Sequence, residues 1–336
     1  MFHHLKPRLN FSFPFRKQID FWFGKEYSPS SNEILLNHAR SGIVLALRMC
    51  LPHGGRVGVP VYDCHTVFRA VEISGCKPVF VDIDKNLRLN TDCLSMLKLD
   101  AIVVTNLFGI RNNINLIQRC LPDIPIIVDN AHGGGLPPEG DFTIYSINQG
   151  KFPVAGPGGI LYVNSNKYKI SFPISEYNIF KELMTFFSIV MKAMSHNILV
   201  YPFIARYLKN TRRHINIKEQ IVVSTMPRGV QRVYCREKQN VKKMIGIQCA
   251  NADNILSNAL KINGVRRGWY GDNAFVLILE CENVEFVKNF FLENYFIETE
   301  THFKQWLSWA EKFGYKKGLC SEAESLISHL LMVPTY

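Results

Sequence analysis

A mostly parallel α/β sheet sandwiched by helices, with a smaller C-terminal α+β domain, is the fold that the sequence predicts. Six short apolar runs rich in β-branched residues read as strands, at 57–61, 78–82, 101–105, 124–128, 142–146 and 159–163. Helix-like pieces lie among them, at 43–50, 64–74, 91–98 and 112–120. Near-continuous apolar strands that alternate with helices indicate a sheet covered on both faces, which is the parallel arrangement. From about Arg236 the pattern changes to a long helix, a strand at 274–280, a helix at 285–293, a strand at 296–301 and a final helix at 322–331. The expected division is a large domain over 1–235 and a small one over 236–336.

Composition narrows the function. The 336 residues are 47% apolar and 20% charged, which excludes wholesale disorder and collagen-like repeats. Lys and Arg number 39 against 28 Asp and Glu, a net charge of +11 that favours anionic partners. The excess is local: 165–243 holds 15 Lys/Arg and 4 Asp/Glu, so the rest of the chain sums to zero. Within it, 165–230 reads as a basic, apolar helical insert, and 182–208 is the most apolar helical run. Lys192 and His196 sit near the middle of that run. A charge at mid-bilayer costs about 2.5–3.5 kcal/mol, which disfavours a simple spanning helix. Buried helices at a subunit or domain boundary are expected there, with peripheral contact to an anionic membrane as the second expectation. Nucleic acid is not expected, because no basic face carries interleaved aromatics. The nine cysteines include no CxxC pair, so neither a zinc site nor any other metal site is expected. Their scatter fits a reduced, cytoplasmic chain. The first twenty residues carry Lys6, Arg8, Arg16 and Lys17 without an unbroken apolar run, so no secretory signal is expected.

Ligands in a parallel sheet sit at the carboxyl ends of the strands, and four features fall there. His38-Ala-Arg-Ser41-Gly42 opens the helix expected from Ile43, where backbone N–H groups offer an anion site. Ile126-Ile-Val128 runs into Asp129-Asn-Ala-His132, and a carboxylate at a buried strand end needs a cation or donor. Tyr145-Ser146 ends a strand at a hydroxyl, and Lys151 follows Gly150 five residues after that serine. A glycine-rich segment, Ala155-Gly-Pro-Gly-Gly159, leads into the next strand. A desolvated lysine has a lowered pKa and can form a Schiff base. An amine for an aldehyde, a carboxylate for a pyridine nitrogen and an N–H cradle with a hydroxyl for a phosphate together suggest pyridoxal 5'-phosphate. Rival motifs are missing: no GxxxxGK[ST], no GxGxxG after the first strand, no HExxH and no GxSxG.

These segments resemble the nucleotide-sugar aminotransferases of the DegT/StrS (DegT/DnrJ/EryC1/StrS) family, within the type I aspartate-aminotransferase fold. Gly58-Val-Pro60 through Gly75-Cys-Lys-Pro-Val-Phe-Val-Asp-Ile-Asp84 is similar to its "AKPVFVDID" region. Asn106-Leu-Phe-Gly109 resembles "HLYG", Val128-Asp-Asn-Ala-His132 resembles "EDAAQ/H", and Ser146 to Lys151 keeps the Ser-x4-Lys spacing. Gly314-Tyr-Lys-Lys-Gly318 and Leu331-Met-Val-Pro-Thr-Tyr336 resemble "GYKPG" and "LSLPLYP". The resemblance implies Lys151 as Schiff-base lysine and proton shuttle, Asp129 as partner of the ring nitrogen and His132 near the ring oxygen. It implies that Ser41, Ser146 and the backbone of Gly42 and Ile43 hold the phosphate. It further implies an amino-acid donor such as glutamate, a keto-sugar on a nucleotide diphosphate, surface-polysaccharide synthesis and a homodimer.

The sequence also departs from that pattern. Ile43 stands where the family has threonine. Cys64 stands at the ring-stacking aromatic position, with Tyr62 and His65 as the neighbouring replacements. Val223 and Thr225 fall on the Asn and Arg of "NYRM", with Ser224, Thr225 and Arg228 as candidate substitutes. These departures keep a second class in view, a divergent protein of this fold with altered or lost catalysis acting as a partner subunit. The related sugar dehydratases carry histidine in place of the lysine, and Lys151 disfavours that variant.

Overall fold

The computed structural model describes residues 22–92, 94–148, 150–169, 174–194, 217 and 219–335. Its centre is a seven-stranded sheet built from β1 (Glu33–Leu36), β2 (Arg56–Pro60), β3 (Lys77–Val81), β4 (Ala101–Thr105), β5 (Ile126–Asn130), β6 (Phe142–Ser146) and β7 (Gly159–Val163). Their order is β1-β7-β6-β5-β4-β2-β3. Strands β3, β2, β4, β5 and β6 run parallel; β7 pairs antiparallel with β6, and the edge strand β1 pairs antiparallel with β7. The six strands read from the sequence are all present, displaced by two residues at most.

Burial follows from composition. All five residues of β4 and of β5 are buried, as a strand covered on both faces requires. Helix α1 (Ala39–Cys50) buries seven consecutive residues, Ser41 to Leu47. Each fully buried Val, Leu or Ile there contributes about 1.5–3 kcal/mol of transfer free energy. Helix α2 (His65–Ile73) packs Val67, Phe68, Ala70 and Val71 inward, and α3 (Ile114–Cys120) seats Ile114 and Ile117. The helix expected at 91–98 shortens to a single 3-10 turn, Leu94–Met96.

The insert contributes α4 (Ile179–Met194), which exposes Ile179, Phe180, Leu183, Met184 and Phe187 as one stripe. Most of the 182–208 run, from 195 onward, lies outside the described residues. Among the described residues, no helix is long and apolar enough to cross a membrane. The eight described cysteines are all free.

Helices α5 (Arg228–Glu237) and α6 (Val241–Ala259) lead to a three-stranded antiparallel sheet of order β10-β9-β8. It comprises β8 (Val265–Tyr270), β9 (Val276–Cys281) and β10 (Leu330–Pro334), accompanied by α7 (Val284–Tyr295), α8 (Trp306–Lys312) and α9 (Ser321–Leu326). Three expectations change here. The strand expected at 296–301 is absent: Phe296 ends α7 in the left-handed conformation (φ 54°), and only Glu300 forms a bridge, to Met332. The helix expected at 322–331 stops at Leu326. The apolar run after it pairs with β9 instead, because periodicity alone cannot separate a short buried strand from a buried helix. Strand β8 was not expected, since Arg266 and Arg267 interrupt its apolar pattern; Arg267 Nε meets Glu280 across the pair at 2.6 Å. Among the contacts that fasten this region to the main sheet, the Tyr62 hydroxyl donates to the His302 carbonyl (2.9 Å), and the Asp82 carboxylate accepts the Glu322 and Ala323 N–H groups of α9 (3.0 Å each).

Candidate active site

The carboxyl ends of β2, β4, β5 and β6 meet at one place. Asp129 is the fourth residue of β5, 4% exposed, and its Oδ1 accepts the Ala131 N–H at 2.8 Å. Lys151 follows β6 on a turn in which its N–H donates to the Asn148 carbonyl at 3.0 Å. Its amine points inward against His132 Nε2. Burial holds the Lys151 amine below its ordinary value, opposed by the charges of Cys64, Asp129 and Asp63. Burial also pushes Asp129 up to about 6, offset by the Ala131 N–H and by Lys151. The pair read from the sequence is therefore brought together, each group acting on the other's charge.

His132 is buried between two rings, Phe108 at 5.5 Å and Phe275 at 4.7 Å, both near parallel. Its Nδ1 accepts the Phe108 N–H at 3.3 Å, which places the neutral ring's proton on Nε2, facing the lysine. Burial, Lys151 and His302 hold His132 well below its usual pKa. The imidazole thus stays neutral, with its Nε2 proton directed at the lysine nitrogen.

The helix start expected to hold a phosphate differs in detail from expectation. Helix α1 begins at Ala39, four residues earlier than the sequence reading, with His38 as an extended N-cap. Gly42 and Ile43 consequently lie inside the helix, and the free N–H groups at its start belong to residues before them. Ile43 is 1% exposed in the core, and Gly42 packs on Ile144. The Ser41 hydroxyl is committed to Asn37 Oδ1 at 2.8 Å. Ser146 ends β6 directly opposite Gly159 of β7. A Cβ on Gly159 would stand 2.3 Å from the Ala39 nitrogen, so helix start, glycine and Ser146 form one close-packed corner. Gly159→Ala should push the α1 start away, at a cost of about 1–3 kcal/mol in stability, together with weaker binding of inorganic phosphate by titration. Unchanged values for both would refute the close approach.

Cys64 caps α2 beside Lys151, its Sγ accepting from the Thr66 hydroxyl at 3.1 Å, and burial raises its thiol pKa. Neither neighbouring aromatic takes its place in the site. Tyr62 packs edge-on against Phe303 and Trp306, and His65 packs on Trp309. Ser224 and Thr225 run beside β1, where Asn37 N–H donates to the Ser224 carbonyl. Arg228 lines a separate pocket of about 280 Å³ with Glu26, Tyr27, Gln231 and Arg232.

Three residues escaped the sequence reading. Asp63, 2% exposed, follows β2; its Oδ1 accepts the Cys64 N–H at 2.6 Å and its Oδ2 the Thr105 hydroxyl at 2.5 Å. Burial and the Asp129 charge push it up to about 7. Its signal was the one that exposed Asp129, a carboxylate just past a buried strand. Thr105 ends β4 beside Asp129. Asn273 Nδ2 donates to the His132 carbonyl (2.8 Å) from 141 residues away, and no local pattern announces it.

No family model matches the sequence. Solved structures do resemble it. The sugar aminotransferase CalS13 from Micromonospora echinospora superposes with TM-score 0.67 at 14% identity, over 98% of this chain and 93% of that one. The putative sugar aminotransferase Spr1654 from Streptococcus pneumoniae, in its PMP form, gives TM-score 0.69 at 15% identity, over 98% and 93%. A GDP-4-keto-6-deoxymannose-3-dehydratase with a trapped PLP-glutamate geminal diamine gives TM-score 0.65 at 16% identity, over 95% and 86%. At these identities the likeness establishes the fold, a large mostly parallel sheet flanked by helices as in type I aminotransferases.

Proposed function

We propose that the chain is a pyridoxal-phosphate-dependent aminotransferase that moves an amino group, with glutamate as donor, to a keto-deoxysugar carried on a nucleotide diphosphate. The observation that carries this reading is the convergence of a buried amine at Lys151, its proton affinity lowered by burial, with a buried carboxyl at Asp129. The residues present fit the coenzyme: an amine for its aldehyde, an acid for its ring nitrogen and a close-packed helix start beside Ser146 for its phosphate. When bound, that group supplies an electron sink for bond breaking at the amino carbon.

The chain's own residues do the rest. Lys151, its proton affinity lowered by burial, is a nucleophile and then a base and acid that carries protons at its Nζ. Asp129 holds a negative charge, or a shared proton, at its Oδ atoms. His132, fixed between Phe108 and Phe275, presents its Nε2 proton to the lysine. Asn273 pins the His132 backbone, and Phe275 with His302 screens that side from water. Lys151 in place of histidine favours transfer over dehydration. The net charge of +11 suits a diphosphate-bearing substrate. The exposed stripe on α4 supports assembly as a homodimer, with the site at or near the boundary between copies.

The test is reconstitution. Purified protein with added pyridoxal phosphate should turn yellow, and borohydride should fix one pyridoxyl group on Lys151, read by peptide mass spectrometry. A colourless protein that takes up none would instead favour a partner subunit that has lost catalysis. Label on a different lysine would refute the assignment of Lys151.

A further inference from the structure

We propose that Asp63 is a positioning residue that supplies the counter-charge for the Lys151 nitrogen, leaving Asp129 free for the ring nitrogen of the coenzyme. This inference rests on the coenzyme reading given above. Asp63, Thr105 and Asp129 stand in a row at the carboxyl ends of β2, β4 and β5, three neighbouring strands. Thr105 is the direct Cα partner of Asp129, and its hydroxyl donates to Asp63. Two buried carboxyls thus share one side of a site that holds a single lysine.

Charge counting separates their roles. The groups acting on Asp63 are Cys64 from the start of α2, Thr105 from β4, Asp129 from β5 and Lys151 from the turn after β6. His132 meets the Lys151 amine through its Nε2, and its ring contacts His302, which is paired to Glu300. Of these, Lys151 is the one cation that opposes both carboxyls, and it favours their ionised forms. A buried carboxylate without a cation is costly, so the pair cannot both ionise against one lysine without strain. A protonated ring nitrogen brings a second positive charge, and Asp129 is suited to receive it. That leaves Asp63, which with Cys64 and Asp129 favours the charged form of Lys151, as the acid for the lysine nitrogen. Its two hydrogen bonds come from neutral donors, a backbone N–H and a hydroxyl, which orient the carboxyl without cancelling its charge.

The sign of the effect is fixed. An ionised Asp63 favours the protonated form of the Lys151 nitrogen, so losing it lowers the pH at which that nitrogen gives up its proton. Full-length wild type, D63N and T105V are reconstituted with pyridoxal phosphate, and the visible band is followed against pH. D63N should shift the midpoint down by about one unit, a tenfold loss in proton affinity. T105V removes the donor that favours ionised Asp63, so it should shift the midpoint the same way by less. A purely structural role would lower thermal stability and leave the midpoint in place. Superimposable pH profiles of coloured wild type and D63N overturn the inference; if D63N does not fold, superimposable profiles of wild type and T105V do so. Wild type that never colours overturns the coenzyme reading, and this inference with it.

Discussion

Lys151→Ala should abolish amino transfer, with a rate loss of about 10³–10⁶, while leaving the fold intact. The size follows from two jobs held by one atom. In the proposed reaction Nζ is the nucleophile that anchors the coenzyme, and afterwards it is the proton carrier. General acid–base loss alone is worth about 10²–10⁴, and removal of a nucleophile reaches about 10⁶. The fold should survive because burial already disfavours the charged amine, so deletion relieves desolvation. His132 keeps its Phe108 N–H and its two flanking rings without the lysine. The measurement is turnover with glutamate and a nucleotide-linked keto-sugar, alongside the borohydride label. Turnover within tenfold of wild type, or a label that persists, would sink the assignment.

Asp129→Asn should lower turnover by about 10²–10³ and leave the coenzyme attached to Lys151. The amide is isosteric and can still accept the Ala131 N–H, so geometry is preserved and charge is lost. A preorganised charge aimed at a reacting centre contributes on this scale. The same substitution removes the like charge beside Asp63 and so lowers the pH at which Asp63 ionises. Wild-type kinetics in Asp129→Asn would show that the carboxylate has no part in the reaction. A variant that binds no coenzyme would make Asp129 a binding group first.

Some of this arrangement was legible along the chain. The parallel strands announced themselves because strands buried on both faces are continuous β-branched runs, and β4 and β5 are such runs. Asp129 and Lys151 could be found because each breaks an apolar pattern at a strand end. Asp63 carries the same kind of signal, but it lies among Tyr62, Cys64 and His65, the candidates for the ring-stacking position. The structure turns Tyr62 and His65 away, toward Phe303, Trp306 and Trp309, and brings Asp63 in. That choice depends on Trp306 and Trp309, about 240 residues downstream.

Local chemistry alone therefore settles the strand order of character, the strand-end acid and the amine that answers it, since burial and turn signals act over a few residues. Tertiary structure alone decides which groups share the site. Residues 330–334 become a strand because β9 offers backbone partners. Helix α1 starts at Ala39 because β7 and β1 hold its entrance, and Gly159 leaves room for it. Asn273, Phe275 and His302 reach His132 from the far end of the chain. Side-chain direction and charge coupling are set by contacts between distant segments, and no spacing within one segment encodes them.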